Sequence, residues 1–258
     1  MKISDIKVYK VKPRWIFVKI STDEGIDGWG EMISGTKTET VVAGAYEIGN
    51  RLIGRNPFEI ERLFQEMHRS FFRGGPINGT IVSGLEMALW DIKGKAFNVP
   101  VYELLGGAAR DNIKVYSWIG GDRPSEVAEQ AQDRFDRGFT AVKMNATEEL
   151  HYIDSYKKVD EVVERVASIR ERFGDAMDIG VDFHGRVHKP MAKVLAKALE
   201  PFHPMFLEEV VLPENEEHYK EVADAVAVPL ATGERLYTRW QFKNIFKQGA
   251  IDIIQPDV

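Results

Sequence analysis

The chain contains no cysteine, so its 258 residues hold no disulfide, no zinc–thiolate centre and no iron–sulfur cluster. It has no excess of positive charge. Lysines and arginines number 34 against 40 aspartates and glutamates, and the net charge of −6 leaves no basic footprint for nucleic acid. It has no apolar run of the length a bilayer span requires. The first ten residues are charged and lack the apolar stretch of a secretion signal, so a cytoplasmic location is expected. No low-complexity tract or short repeat is present. What remains is ordinary for a globular protein, with 44% hydrophobic and 29% charged residues. That length suits one large domain or two smaller ones.

The pattern changes along the chain. Residues 3–12, 15–21 and 26–31 read as strands joined by short turns, an antiparallel meander. Helical spacing then covers Thr38 to Ile53. A second helix opened by Pro57 is predicted to run to about Phe72, and a third covers Thr80 to Phe97. Together these predict an α+β domain over residues 1–112. From Ile113 the rhythm becomes strand, helix, strand. Apolar strand candidates are 114–119, 140–145, 177–183, 204–208, 229–233 and 251–256. Helical patterns separate them at Ser125–Arg137, Ile153–Phe173, Pro190–Leu199 and Glu216–Ala225. Alternating units of this kind imply a parallel sheet. The expectation is an α/β protein in which residues 113–258 form a partial (β/α) barrel. Eight strands normally occupy about 250 residues, and only six are visible here. A barrel truncated after about the sixth strand, within a longer polypeptide, is therefore expected.

Three carboxylates are evenly placed on those strands. Asp182, Glu208 and Glu234 are separated by 26 residues each time, and each follows a short apolar run. One strand plus one helix per interval puts all three at the C-terminal rim, where barrel active sites are built. Any single strand-end acid is often only a helix cap or a solvated loop residue. Three in register need a cation to stay ionised together, and three hard oxygen ligands suit Mg²⁺. Residues two apart on a strand share a face. His184 is therefore expected beside Asp182, Asn145 beside Lys143, and Glu234 beside Thr232. Lys143 is either an electrostatic partner of the substrate or a satisfied ion pair. Only one of Glu208 and Glu209 can face inward, and the spacing favours Glu208. Glu209 then binds a nearby cation or supports the site from behind. Asp257, near the end of the sixth strand, is a fourth rim acid or a group that orients a base. A metal triad with a histidine suits abstraction of a proton α to a carboxylate, which places negative charge on two oxygens where a divalent ion stabilises it.

The chain resembles the enolase superfamily in its mandelate racemase-like branch. The superfamily is itself a standard case of a Lys or His base working with Mg²⁺. The resemblance is carried by Gly28-Trp29-Gly30-Glu31, Arg73-Gly74-Gly75-Pro76 and Ala88-Leu89-Trp90-Asp91-Ile92-Lys93-Gly94-Lys95. Tyr116-Ser117-Trp118, Gly120-Gly121-Asp122-Arg123-Pro124 and Lys143-Met144-Asn145 continue it. So do Asp182-Phe183-His184-Gly185-Arg186, Gly233-Glu234-Arg235 and Gln255-Pro256-Asp257. It implies a capping domain followed by an enolase-type TIM-like barrel, and a dehydratase of a small aldonic (sugar) acid. Asp182, Glu208 and Glu234 would bind Mg²⁺. His184 would protonate a departing hydroxyl, and Asp257 would pair with a basic histidine on a following strand. Racemases of the branch carry a basic lysine where this chain has Asn145, which argues for histidine chemistry. Val210 replaces a proline common after the Glu-Glu pair. Family members are commonly homo-oligomers. The reading of a different class is a binding protein that holds metal and ligand without turnover.

Overall fold

A computed structural model describes residues 1–33, 35–69, 75–121 and 126–257. Arg73, Gly74, Asp122, Arg123, Pro124, Ser125 and Val258 lie outside the described residues, as does the expected end of the second helix. The chain divides into two compact units, Met1–Asn112 and Ile113–Asp257.

The first unit opens with β1 (Ile3–Val11), β2 (Trp15–Thr22) and β3 (Asp27–Glu31), an antiparallel sheet in that order. Period-two alternation explains its burial. Ile16, Val18 and Ile20 of β2 face the core, and the residues between them do not. Four helices follow: α1 (Thr38–Gly49), α2 (Ile60–Arg69), α3 (Gly75–Phe97) and α4 (Val101–Leu104). The first is shorter than its apolar pattern suggests, because residues Asn50–Leu52 tighten into a 3₁₀ turn. The second starts three residues past Pro57. Leu85, Leu89 and Ile92 of α3 complete the core with Ile6, Val18 and Ile20.

Two of the recurring motifs meet in this unit. Gly28 and Gly30 of β3 lie directly on the backbone of α3. A Cβ on Gly30 would fall 1.9 Å from the Gly84 carbonyl oxygen, and one on Gly28 would fall 2.0 Å from that of Ala88. Asp91 then fastens the pair. It accepts from the Trp29 amide at 2.9 Å and pairs with Lys95 at 2.7 Å, and Lys95 also reaches the Asp27 carbonyl at 2.8 Å. The glycines are thus packing residues and the acid is a helix–sheet tie.

The second unit holds β4 (Ser117–Trp118), α5 (Val127–Asp136), β5 (Ala141–Asn145), α6 (Tyr156–Phe173) and β6 (Asp178–Asp182). It continues with α7 (Lys189–Leu199), β7 (Phe206–Glu208), α8 (Tyr219–Ala223), β8 (Leu230–Thr232), α9 (Arg239–Gln248) and β9 (Ile253–Ile254). All six strands are parallel and each pairs with the next in sequence. The parallel architecture is the expected one. The strands are shorter than their apolar runs, most of all at the two edges, which pair on one side only. Val142, Met144, Ile179, Val181, Leu207 and Leu230 join the helices in one core, leaving their strand neighbours on the opposite face. The stretch Glu216–Ala225 is a 3₁₀ segment over Pro213–His218 followed by α8. α9 is announced by a capping box, in which Thr238 and Gln241 each satisfy the other's backbone amide. Among the described residues, no helix is long and apolar enough to cross a membrane.

Gly30→Ala forces a methyl group onto helix backbone that cannot move aside. Overpacking of this kind costs about 1–3 kcal/mol. Urea titration of the first unit's tryptophan signal is expected to show a lower midpoint, and an unchanged midpoint would mean that β3 and α3 are not in this close contact.

Candidate active site

The site lies on the face of the second unit's sheet that its helices leave uncovered. Register pairs Asn145 with Asp182 and Asp182 with Glu208, so the ends of β5, β6 and β7 stand level. Asp182 and Glu208 are buried, Glu208 at 2% exposure. Between them sits the ammonium of Lys143, 2.7 and 2.8 Å from the two Glu208 oxygens and 3.2 Å from Asp182 Oδ2. Trp118 and Tyr116 flank that ammonium, with ring centroids at 5.4 and 5.9 Å. Gln255 Nε2 donates to Glu208 Oε2 at 2.9 Å and to the Tyr116 hydroxyl at 3.3 Å. Of the two roles open to Lys143, the ion pair is therefore the one the structure displays. Asn145 is fully buried, level with Asp182.

The charges follow from this crowding. Burial and the neighbouring Asp182 push the Glu208 carboxyl above its ordinary range, against the pull of Lys143. Burial also works to raise Asp182, but the His184 hydrogen bond and Lys143 outweigh it and hold that carboxyl low. Burial opposes the Lys143 charge, and the two carboxylates overcome it, so the ammonium is held more firmly than usual.

His184 reaches this group by a different route from the one strand parity suggests. β6 ends at Asp182, and His184 stands in a turn with a φ of +55°. From there its amide donates to Asp182 Oδ1 at 2.6 Å and its Nδ1 lies 3.2 Å from Asp182 Oδ2. The hydrogen bond to Asp182 raises the imidazole pKa despite partial burial.

The third carboxylate departs from simple register. Glu208 is level with Ala231, so Glu234 lies three residues beyond that level. Thr232 does not share its side. The Thr232 hydroxyl turns to the helix layer, 3.0 Å from Tyr219 and 3.1 Å from Glu209. Gly233, with a φ of +153°, lies between the two and ends the alternation. Its position admits no side chain, because a Cβ would meet the backbone of Gln255 at 2.7 Å. Glu234 stands half-buried with an oxygen 3.8 Å from Arg235. Among the described residues, no three acidic or histidine side chains gather closely enough to hold a metal ion as placed. Two of the three expected ligands are brought together, and the third hangs at the rim. The donor set nonetheless fits a cation. Three carboxylate oxygens of Asp182 and Glu208 already converge on one positive centre, the Lys143 nitrogen, and all are hard donors.

Glu209 faces away from Glu208. It too has a positive φ, +48°, and its buried carboxylate binds Arg235 at 2.5 Å. Burial raises its pKa and Arg235 opposes the rise. Asp257 lies exposed beyond β9. Gln255, Trp118, Tyr116 and Arg235 were not singled out from the sequence as site residues. All four lie within recurring motifs, but adjacency in a motif does not tell which neighbour a side chain touches.

An enolase-type pair of domains is what this arrangement defines. Residues 8–106 match the mandelate racemase/muconate lactonizing enzyme N-terminal domain, and residues 126–258 match the enolase C-terminal domain-like family. The chain belongs to the mandelate racemase/muconate lactonizing enzyme family of the enolase superfamily. It is 49% identical over its whole length to a D-galactonate dehydratase of Variovorax paradoxus and 50% identical to one of Pectobacterium atrosepticum, spanning 68% of each. A crystal structure of an enolase superfamily member from Salmonella Typhimurium superposes with a TM-score of 0.92 at 30% identity, over 99% of this chain and 73% of that one.

Lys143→Met removes the one ammonium that two buried carboxylates share. Loss of one partner from such a group costs about 3–5 kcal/mol. Thermal unfolding of metal-free protein is expected to shift down strongly at pH 8 and less in acid, because protonation of Glu208, whose carboxyl burial and Asp182 already push up, relieves the repulsion. An equal shift under both conditions would mean that carboxylate repulsion is not the cause.

Proposed function

We propose that the protein is a Mg²⁺-dependent sugar-acid dehydratase that removes water from D-galactonate to give 2-dehydro-3-deoxy-D-galactonate through an enediolate. The observation that carries this reading is the buried, level pair Asp182 and Glu208 sharing one cation, with the His184 imidazole 3.2 Å from the first of them. The substrate rests on the relatives, which are named D-galactonate dehydratases at about half identity across the chain. A cytoplasmic homo-oligomer is the form we expect, from the family resemblance alone.

Asp182, Glu208 and Glu234 would hold the ion. When bound, it supplies positive charge beside the substrate carboxylate, where negative charge grows as C2 loses its proton. Lys143, ion-paired to both carboxylates as it stands, would add positive charge on the same face, and Asn145, level with Asp182, would contact the substrate. His184 does the acid's work. Its Nδ1 is engaged by Asp182, so Nε2 is the nitrogen left to hand a proton to the C3 hydroxyl, which departs as water. Asp257 would orient the family's histidine base, which takes the C2 proton.

Assays with Mg²⁺ and each of D-galactonate, gluconate, arabonate and fuconate, following 2-keto acid formation, test the reading. The highest kcat/KM is expected with D-galactonate. A higher value for another aldonate reassigns the substrate, and no keto acid from any of them leaves a binding protein without turnover. Glu234→Gln is expected to weaken Mg²⁺ binding in calorimetry, and wild-type affinity in that variant would remove Glu234 from the ligand set.

His184→Asn separates the two proton transfers. Dehydration is expected to fall by a factor of order 10² to 10⁴, as for other acid–base groups. Exchange of the C2 hydrogen with D₂O is expected to persist, because the base is elsewhere. Loss of both together would place His184 in the first step.

A further inference from the structure

We propose that Arg235 and Glu209 form a clamp that positions His184, each holding one carbonyl or amide of the turn on which the histidine rides. The proposal rests on the reading of His184 as proton donor. The turn runs from Phe183 to Arg186 and is closed by the Arg186 amide, which donates to the Phe183 carbonyl at 3.0 Å. Its two central residues, His184 and Gly185, have φ values of +55° and +58°. Glycine adopts such angles freely, whereas a histidine there is uncommon and must be held by its surroundings.

Beside its own bonds to Asp182, two hydrogen bonds from other segments hold it. A terminal nitrogen of Arg235 donates to the His184 carbonyl at 3.0 Å, and the Gly185 amide donates to the Glu209 carbonyl at 3.0 Å. The two holders are tied to each other, with Arg235 Nε 2.5 Å from Glu209 Oε2. Glu209 is 2% exposed. Its other oxygen accepts from Thr232 at 3.1 Å, and the Thr232 hydroxyl meets Tyr219 of α8 at 3.0 Å. Through Glu209 the clamp is anchored in the helix layer, while Arg235 reaches it half-buried from the loop after β8. Adjacent glutamates divide the work. Glu208 faces the shared cation, and Glu209 faces the turn that carries the acid. A guanidinium can serve two acceptors at once through separate nitrogens, which the single nitrogen of a lysine does poorly. These are positioning residues, because they act through His184.

Arg235→Gln and Arg235→Lys test the clamp in the intact protein. Backbone amide exchange at Gly185 needs no substrate. It is expected to speed up in Arg235→Gln while Val181, within β6, stays protected. Mg²⁺ affinity is expected to hold. Elimination is expected to fall by roughly 10- to 100-fold, the scale of a small misplacement of a catalytic group, while C2 hydrogen exchange in D₂O continues. Arg235→Lys is expected to lie between wild type and Arg235→Gln, and it carries the comparison if the glutamine variant does not fold. In a His184→Asn background, Arg235→Gln should cost nothing further. Unchanged Gly185 protection overturns the proposal. So does loss of Mg²⁺ affinity with exchange and elimination falling together, because Arg235 would then act through its neighbour Glu234. If the wild-type protein turns over no aldonate, the dehydratase reading fails separately, and Gly185 exchange alone decides whether the clamp exists.

Discussion

Two carboxylates buried side by side at the ends of adjacent strands are the constraint on which the second unit depends. Neither Asp182 nor Glu208 can keep a charge there without a positive partner, because low-dielectric surroundings magnify both the repulsion and the cost of lost hydration. Lys143 meets that need from the neighbouring strand, and two aromatic rings and Gln255 close around it. The register of three short strands does the placing. Any slip by one residue would turn these side chains away from Lys143 and toward the helix-packed core.

The first unit obeys a different constraint, close approach of backbones. Two motifs that carry the family resemblance, Gly28-Trp29-Gly30-Glu31 and Ala88-Leu89-Trp90-Asp91, serve packing in that unit. They let a strand lie on a helix with nothing between, and they fasten it with one aspartate and one lysine.

Much of the architecture was legible because its signals are local. Alternation in β2, helical spacing in α3 and the change of rhythm after residue 112 depend only on near neighbours. The 26-residue interval identified Asp182 and Glu208 as level, since both end their strands. Equal spacing misled for Glu234, because the β7-to-β8 step reaches the level of Glu208 at Ala231, and the turn through Gly233 takes up the difference. Parity likewise placed His184 near Asp182 for the wrong reason. Positive φ at His184 and Glu209 is decided by contacts between distant segments, which no window along the chain contains. The same holds for Gln255 and Trp118, whose roles come from which strands become neighbours.

The turn at Gly233 has a consequence for how such a site diversifies. Asp182 and Glu208 are built into the sheet and cannot shift without re-registering strands. Glu234 is carried on a short arc outside it, past a glycine that leaves no space for a side chain. Under the proposed metal role, variation would be tolerated unequally. Changes on that arc would alter the reach of a single oxygen donor and leave the buried pair in place, whereas changes at the strand ends would remove the pair itself.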